Sequence, residues 1–211
     1  MVDPLNEIVI PLVGLITATI LFYSPLREMR EVDKTRLVGK LNVFPMACIP
    51  GNCFAWMVYA LPTSNLWLWW SNLPSFMIGL WYMSVTLRAT DLTAATYRMV
   101  QVVVGGGMLL VSLGLMMVII AEDELSVAKN VVGAICILLL LVFYFAPLST
   151  LVAVLRARDS SAFLLPLAVT TALNGAAWSA FGFYLGDAFL YGPNLIGAVN
   201  GCLQIGCCLG E

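Results

Sequence analysis

Two asparagine–tryptophan pairs carry the chemistry this sequence offers. Asn52 and Trp56 stand four residues apart, and Asn174 and Trp178 repeat that spacing. Sixteen residues after each tryptophan comes a further asparagine, Asn72 or Asn194. An amide side chain both donates and accepts hydrogen bonds. An indole adds a flat apolar face. Positions i and i+4 share one face of a helix. Such a set suits a neutral, polyhydroxylated solute, whose hydroxyls meet the amides while its C–H face packs on the ring. One Asn alone would serve as readily to hydrogen-bond two helices, and one Trp as an interfacial anchor. Repetition of the whole set favours a binding site.

The two sets are offset by 122 residues, and the same offset maps Pro25 onto Pro147, Ala60 onto Gly182 and Gly79 onto Gly201. Asn, Trp and Pro are rare enough here to make this an internal duplication. The chain that must position the sets is strongly apolar. Of its 211 residues 61% are hydrophobic and 10% charged, and the mean hydropathy is +0.96. Soluble domains carry about 25% charged residues, so a bilayer is the expected solvent. Seven segments are long enough to span it: about Glu7–Pro25, Leu41–Leu61, Leu66–Leu87, Val100–Ala121, Val131–Leu155, Phe163–Leu185 and Ala188–Leu209. In lipid they must be helices, because backbone groups have to be satisfied within the segment. The acidic N-terminus lacks the positive start of a secretory signal, so the first segment is expected to remain as a span.

Nine of the ten cations fall between segments one and two, three and four, or five and six; only Lys129 lies on the other side. Positive-inside places those nine in the cytoplasm, the N-terminus outside or in a lumen, and the C-terminus in the cytoplasm. The duplication then groups the chain as a first three-helix repeat (1–90), a linker helix (91–128) and a second repeat (129–211). The extra crossing gives both repeats the same orientation, a parallel repeat. The linker carries Gly105-Gly106-Gly107, which permits close helix contact.

No Asp, Glu, Lys, Arg or His lies deep in a span, and the chain has no His at all. General bases and metal ligands are thereby scarce, and the charge that couples a carrier to protons is missing. No enzyme activity, metal or cofactor is expected. The charge balance, 10 cations against 12 anions, points to no nucleic-acid partner. The six cysteines lie in apolar runs without a C-x-x-C pair and read as packing residues. What remains is passive movement of a neutral solute. Pro25, Pro45, Pro147 and Pro166 fall on segments one, two, five and six, where prolines kink helices and can act as hinges.

These residues resemble the SWEET sugar transporters, parallel-repeat carriers, over essentially the whole chain. The likeness is densest at Leu165-Pro166, Leu173-Asn174-Gly175, Trp178, Phe181-Gly182, Asp187, Pro193-Asn194, Gly197, Gly201 and Gln204. In the first repeat Ser24-Pro25, Phe44-Pro45, Asn52-Cys53, Trp56, Tyr59, Asn72 and Tyr82 fit. Gly79 stands where the family commonly has an acidic residue, and Pro74 where a glycine-rich run is usual.

The resemblance implies an all-α, seven-helix membrane fold in a 3+1+3 arrangement. It implies uniport of a mono- or disaccharide by alternating access about a central pocket. Asn72 and Asn194 would bind the sugar and Trp56 and Trp178 would flank it. Asn52, Asn174, Leu21 and Phe143 would complete the lining, whose size favours a glucose-like monosaccharide. The four prolines would form a cytoplasmic gate, and Tyr59 with Asp187 an extracellular one. Membrane lipid and a homo-oligomer are the expected partners, in the plasma membrane or that of a vacuole or organelle. A seven-helix receptor or sensor shares the helix count, but the repeat and short loops argue against it. A related three-helix-repeat carrier of another small solute is the remaining alternative.

Overall fold

The structure, a computed structural model, describes residues 3–121, 124–157 and 165–209; side chains of 145–157 are outside the description. Among the described residues every regular element is helical. A π-helical turn, Leu5–Val9, leads into α1 (Ile10–Tyr23). Then come α2 (Leu26–Thr35), α3 (Phe44–Tyr59), α4 (Leu66–Leu87) and α5 (Ala94–Ile120). The chain ends with α6 (Leu125–Ala157), α7 (Leu165–Tyr184) and α8 (Ala188–Leu209). Apart from α2 these are the seven expected spans. Leu5–Thr35, Ala94–Ile120 and Leu125–Tyr144 each contain a window long and apolar enough to cross a bilayer. The helices α4 and α8 have 22 residues each, about 33 Å at 1.5 Å per residue, enough for a hydrocarbon core of about 30 Å. Large apolar side chains face outward, Val102 and Ile120 at 71% and 69% exposure, as lipid contact requires.

Local chemistry sets the helix ends. Asn65 caps α4, its Oδ1 accepting from the Trp67 and Leu68 N–H groups at 3.1 and 3.3 Å. Thr93 caps α5 by accepting from Thr96 N–H at 3.1 Å. Each oxygen satisfies donors that the first helical turn leaves open. The Thr93 cap starts α5 six residues before the apolar run that marks it in the sequence. Between α1 and α3 the sequence suggests only a basic connection, yet ten residues form α2. It buries Met29 and Val32 and ends at Arg36 in the left-handed region, φ 62°.

Two compact units emerge. One comprises Met1–Leu21 with Leu140–Glu211, the other Phe22–Leu139. In the first, α7 and α8 run so close that a Cβ on Gly175 would meet the backbone of Asn194 and Ala198. A Cβ on Gly201 would likewise meet the backbone of Ala172. Helix α1 joins α7 in the same unit: a Cβ on Gly14 would lie 2.8 Å from the Trp178 ring. In the second unit α3 and α5 meet at Gly51 and Gly107, where a Cβ added to either would lie 3.4 or 3.6 Å from the facing Cα. Gly79 of α4 packs on Ile49 and Pro50, whose atoms would lie 2.8 and 3.1 Å from its Cβ. That contact gives a reason for glycine at this departure from the SWEET pattern. Helix α2 is tied to the end of α4 by Arg88 Nη2, which donates to Asp33 Oδ1 at 3.0 Å.

Candidate functional site

In the unit Phe22–Leu139, α3 brings Asn52 and Trp56 onto one helix, and α4 supplies Asn72. All three are buried. Asn72 Nδ2 donates to the Leu68 carbonyl of its own helix at 2.9 Å and to Ser71 Oγ at 3.2 Å. Asn52 Oδ1 is buried with no donor among the described residues. An unmade hydrogen bond of this kind is costly in an apolar setting, about 1–3 kcal/mol. Trp56 stands edge-on to Tyr59, centroids 5.7 Å apart at 86°. Tyr59 is fully buried.

In the unit formed by the chain's two ends, Asn194 repeats the behaviour of Asn72. Its Nδ2 donates to the Leu190 carbonyl, four residues back, at 2.8 Å. Leu68 and Leu190 are themselves 122 residues apart. Trp178 stands edge-on to Phe181 at 6.1 Å and 63°, as Trp56 does to the residue three beyond it. Asn174 behaves differently from Asn52. Its Nδ2 donates to the Gly14 carbonyl at 3.1 Å and to Thr17 Oγ1 at 3.0 Å, both on α1. Asn174 and Trp178 thus meet the same stretch of α1. Leu21 and Phe143 of this unit are half-buried, and the Phe143 ring lies 6.1 Å from that of Tyr144.

The family model described as "Sugar efflux transporter for intercellular exchange" matches the chain twice, at residues 8–88 and 130–208. The two matches begin 122 residues apart and together cover most of the chain. The chain belongs to the SWEET family. It is similar to the sugar transporter SWEET1 of Dictyostelium discoideum, 23% identical over 88% of this chain and 84% of the relative. The bidirectional sugar transporter SWEET4 of Oryza sativa subsp. indica is 25% identical over 93% of this chain and 76% of the relative. Among solved structures, a eukaryotic SWEET transporter determined at 3.7 Å superposes with a TM-score of 0.79. That likeness covers 96% of this chain and 95% of the other at 23% identity. The fold is therefore the seven-helix SWEET fold, and the protein is an integral membrane protein of a family of sugar transporters rather than of enzymes.

The four prolines and the residues expected to act as gates sit as follows. Pro25 occupies the join of α1 and α2, and Pro45 the first turn of α3. Neither kinks a helix interior, contrary to the expectation from sequence. A first-turn N–H has no i−4 carbonyl to lose, so proline is tolerated there. Pro166 is the second residue of α7, and the side chain of Pro147 lies outside the described residues. Pro147 falls within α6, and Pro50, Pro74 and Pro193 also lie inside helices. Asp187 is buried and begins α8: its Oδ1 accepts from Phe189 N–H at 3.1 Å and its carbonyl from Leu190 and Tyr191 N–H. Sequence reasoning missed Gly14 and Thr17 as the partners of Asn174. The threonines Thr17 and Thr19 in an otherwise apolar α1 were the available signal.

Proposed function

We propose that the protein is a sugar uniporter that works by alternating access, with Asn72, Asn194, Trp56 and Trp178 binding the sugar. Family membership supports the substrate class. The observation that carries the site is the matched state of Asn72 and Asn194. Each turns its amide N–H back onto the carbonyl one turn earlier in its own helix, and among the described residues nothing donates to either Oδ1. An Asn that served only to join helices would bond across them, as Asn174 does. Asn52, Leu21 and Phe143 complete the lining in this reading, and Asn174 holds Trp178 in place through α1. Residues 1–90 and 129–211 act as the two repeats, with 91–128 as linker. Pro25, Pro45, Pro147 and Pro166 gate the cytoplasmic side, and Tyr59 and Asp187 the external side.

The absence of charge deep in the spans supports uniport, since coupling to protons needs an ionisable group. Direction then follows the sugar gradient. The lining favours a glucose-like monosaccharide, and the nine-cation side faces the cytoplasm. Purified protein in liposomes tests the reading with a panel of radiolabelled mono- and disaccharides. Equilibration of a monosaccharide, unchanged by a proton gradient or by removal of sodium, is the expected result. Accumulation above the outside concentration under either gradient would refute uniport.

A further inference from the structure

The helix that the sequence did not announce borders a cavity of its own. It measures about 430 Å³ and is lined by Tyr23, Ser24, Leu26, Arg27, Arg30, Glu31 and Lys34. That volume lies in the range of small-ligand pockets, about 300–1,000 Å³. At 100° per residue, Arg27, Arg30, Glu31 and Lys34 fall within about 100° of one another around α2. The opposite face carries Met29 and Val32, both buried. The helix is held in register: Arg88 pairs with Asp33, Thr90 N–H donates to the Arg36 carbonyl at 2.9 Å, and Asp91 accepts from Val38 and Gly39 N–H at 2.8 Å each. These ties use Arg36 and Arg88. Among the described residues no ion pair engages Arg27, Arg30 or Lys34. The cavity therefore presents three cations against one carboxylate, with two hydroxyls at its rim.

We propose that this cavity binds a small anion carrying at least two phosphate groups. Two arginines supply planar forks suited to phosphate oxygens, and the lysine a point charge. Arg27 and Lys34 are seven residues apart, about 10 Å along the helix, so a single phosphate holding both would draw the two side chains together and leave Arg30 without a second anion. A single-phosphate ligand would leave part of the charge unmatched. The chemistry has two sources: an inositol phosphate headgroup in the membrane, which a basic segment next to a span is placed to meet, or a soluble inositol polyphosphate. This site is separate from the sugar-binding residues and does not rest on the transport reading.

The test uses the full-length purified protein. One arm measures binding of inositol 1,4,5-trisphosphate by calorimetry. The other compares nanodiscs containing phosphatidylinositol 4,5-bisphosphate with phosphatidylserine nanodiscs of matched charge. Binding in the first arm with wild-type protein is expected to fall at least tenfold in R27Q/R30Q and several-fold in K34Q. E31Q is expected to bind several-fold tighter, and Arg98→Gln, a cation outside the cavity, to match wild type. Preference for the bisphosphate discs assigns a membrane source; binding of the soluble probe alone assigns an aqueous one; both support the site. Wild-type affinity in R27Q/R30Q and E31Q, or no soluble-probe binding together with equal binding to both kinds of disc, would overturn it. Elution profile and melting temperature in detergent check that the variants are folded.

Discussion

Substituting Gly175 by alanine tests the packing that fixes Asn194. Glycine inside a helix normally costs about 0.8–1 kcal/mol relative to alanine, so propensity alone predicts that Gly175→Ala stabilises. The structure predicts the reverse. The new Cβ would lie 2.7 Å from the Asn194 carbonyl oxygen and 2.8 Å from Ala198 Cα, both backbone atoms that no rotamer change can move. The closest atom to the new Cβ is Ala198 N, so restoring ordinary contacts requires α7 and α8 to separate by more than about 0.7 Å, a gap that forfeits a quarter to a half of the van der Waals attraction across it. Overpacking of this kind costs about 1–3 kcal/mol, enough to outweigh the propensity gain. The control is Gly106→Ala on α5, whose Cβ meets nothing within 4 Å and should match or exceed wild type. Thermal unfolding of the detergent-purified variants, followed by tryptophan fluorescence, reads the difference. Gly175→Ala should melt several degrees lower, at about 2–4 °C per kcal/mol for a chain of this size. A Gly175→Ala protein as stable as Gly106→Ala would refute the close approach of the two backbones.

Three other outcomes follow from single contacts. Asn174→Ala removes two hydrogen bonds to α1 and should lower stability by about 1–3 kcal/mol, seen as a lower melting temperature. Tyr82→Phe loses the hydroxyl donated to the Phe22 carbonyl at 3.1 Å, and should cost about 1 kcal/mol by the same assay. The Val38 and Gly39 N–H groups hold the Asp91 carboxyl below its ordinary value of 3.8. Its contribution to the 36–43 turn is thus present above that value and lost as pH falls through the depressed one. An acid-active protease should cut this turn faster at the lowest pH, whereas Asp91→Ala should be cut fast at every pH; equal rates in both proteins throughout would contradict the tie.

The sequence was most legible where a polar break meets a long apolar run. The ends of α4 and α8 fall at Leu66–Leu87 and Ala188–Leu209 as expected, because Asn65 and Asp187 cap them. Helix α2 was hidden because its polar residues read as a loop; only the Met29–Val32 spacing hinted at a helical face. Pro25 and Pro45 misled because composition does not tell a helix interior from a helix end or first turn, whereas Pro147 falls inside α6. The equivalence of Asn72 and Asn194 was visible as an offset, and their shared i−4 hydrogen bond gives it a physical form. The difference between Asn52 and Asn174 was not visible, since a repeat is a relation of sequence and does not name the neighbours each copy packs against. Asn174 meets α1, and nothing in its own segment announces that.

The central claim is that Asn72 and Asn194 bind sugar rather than hold helices together. Their bonds stay within their own helices, so removing either amide should leave stability within about 1 kcal/mol of wild type. The direct measurement is glucose counterflow in liposomes containing Asn72→Ala or Asn194→Ala, with melting temperature recorded on the same preparations. The account predicts transport lost in both variants at near-wild-type stability. Normal counterflow in both, provided that the wild-type protein carries the sugar, would contradict it.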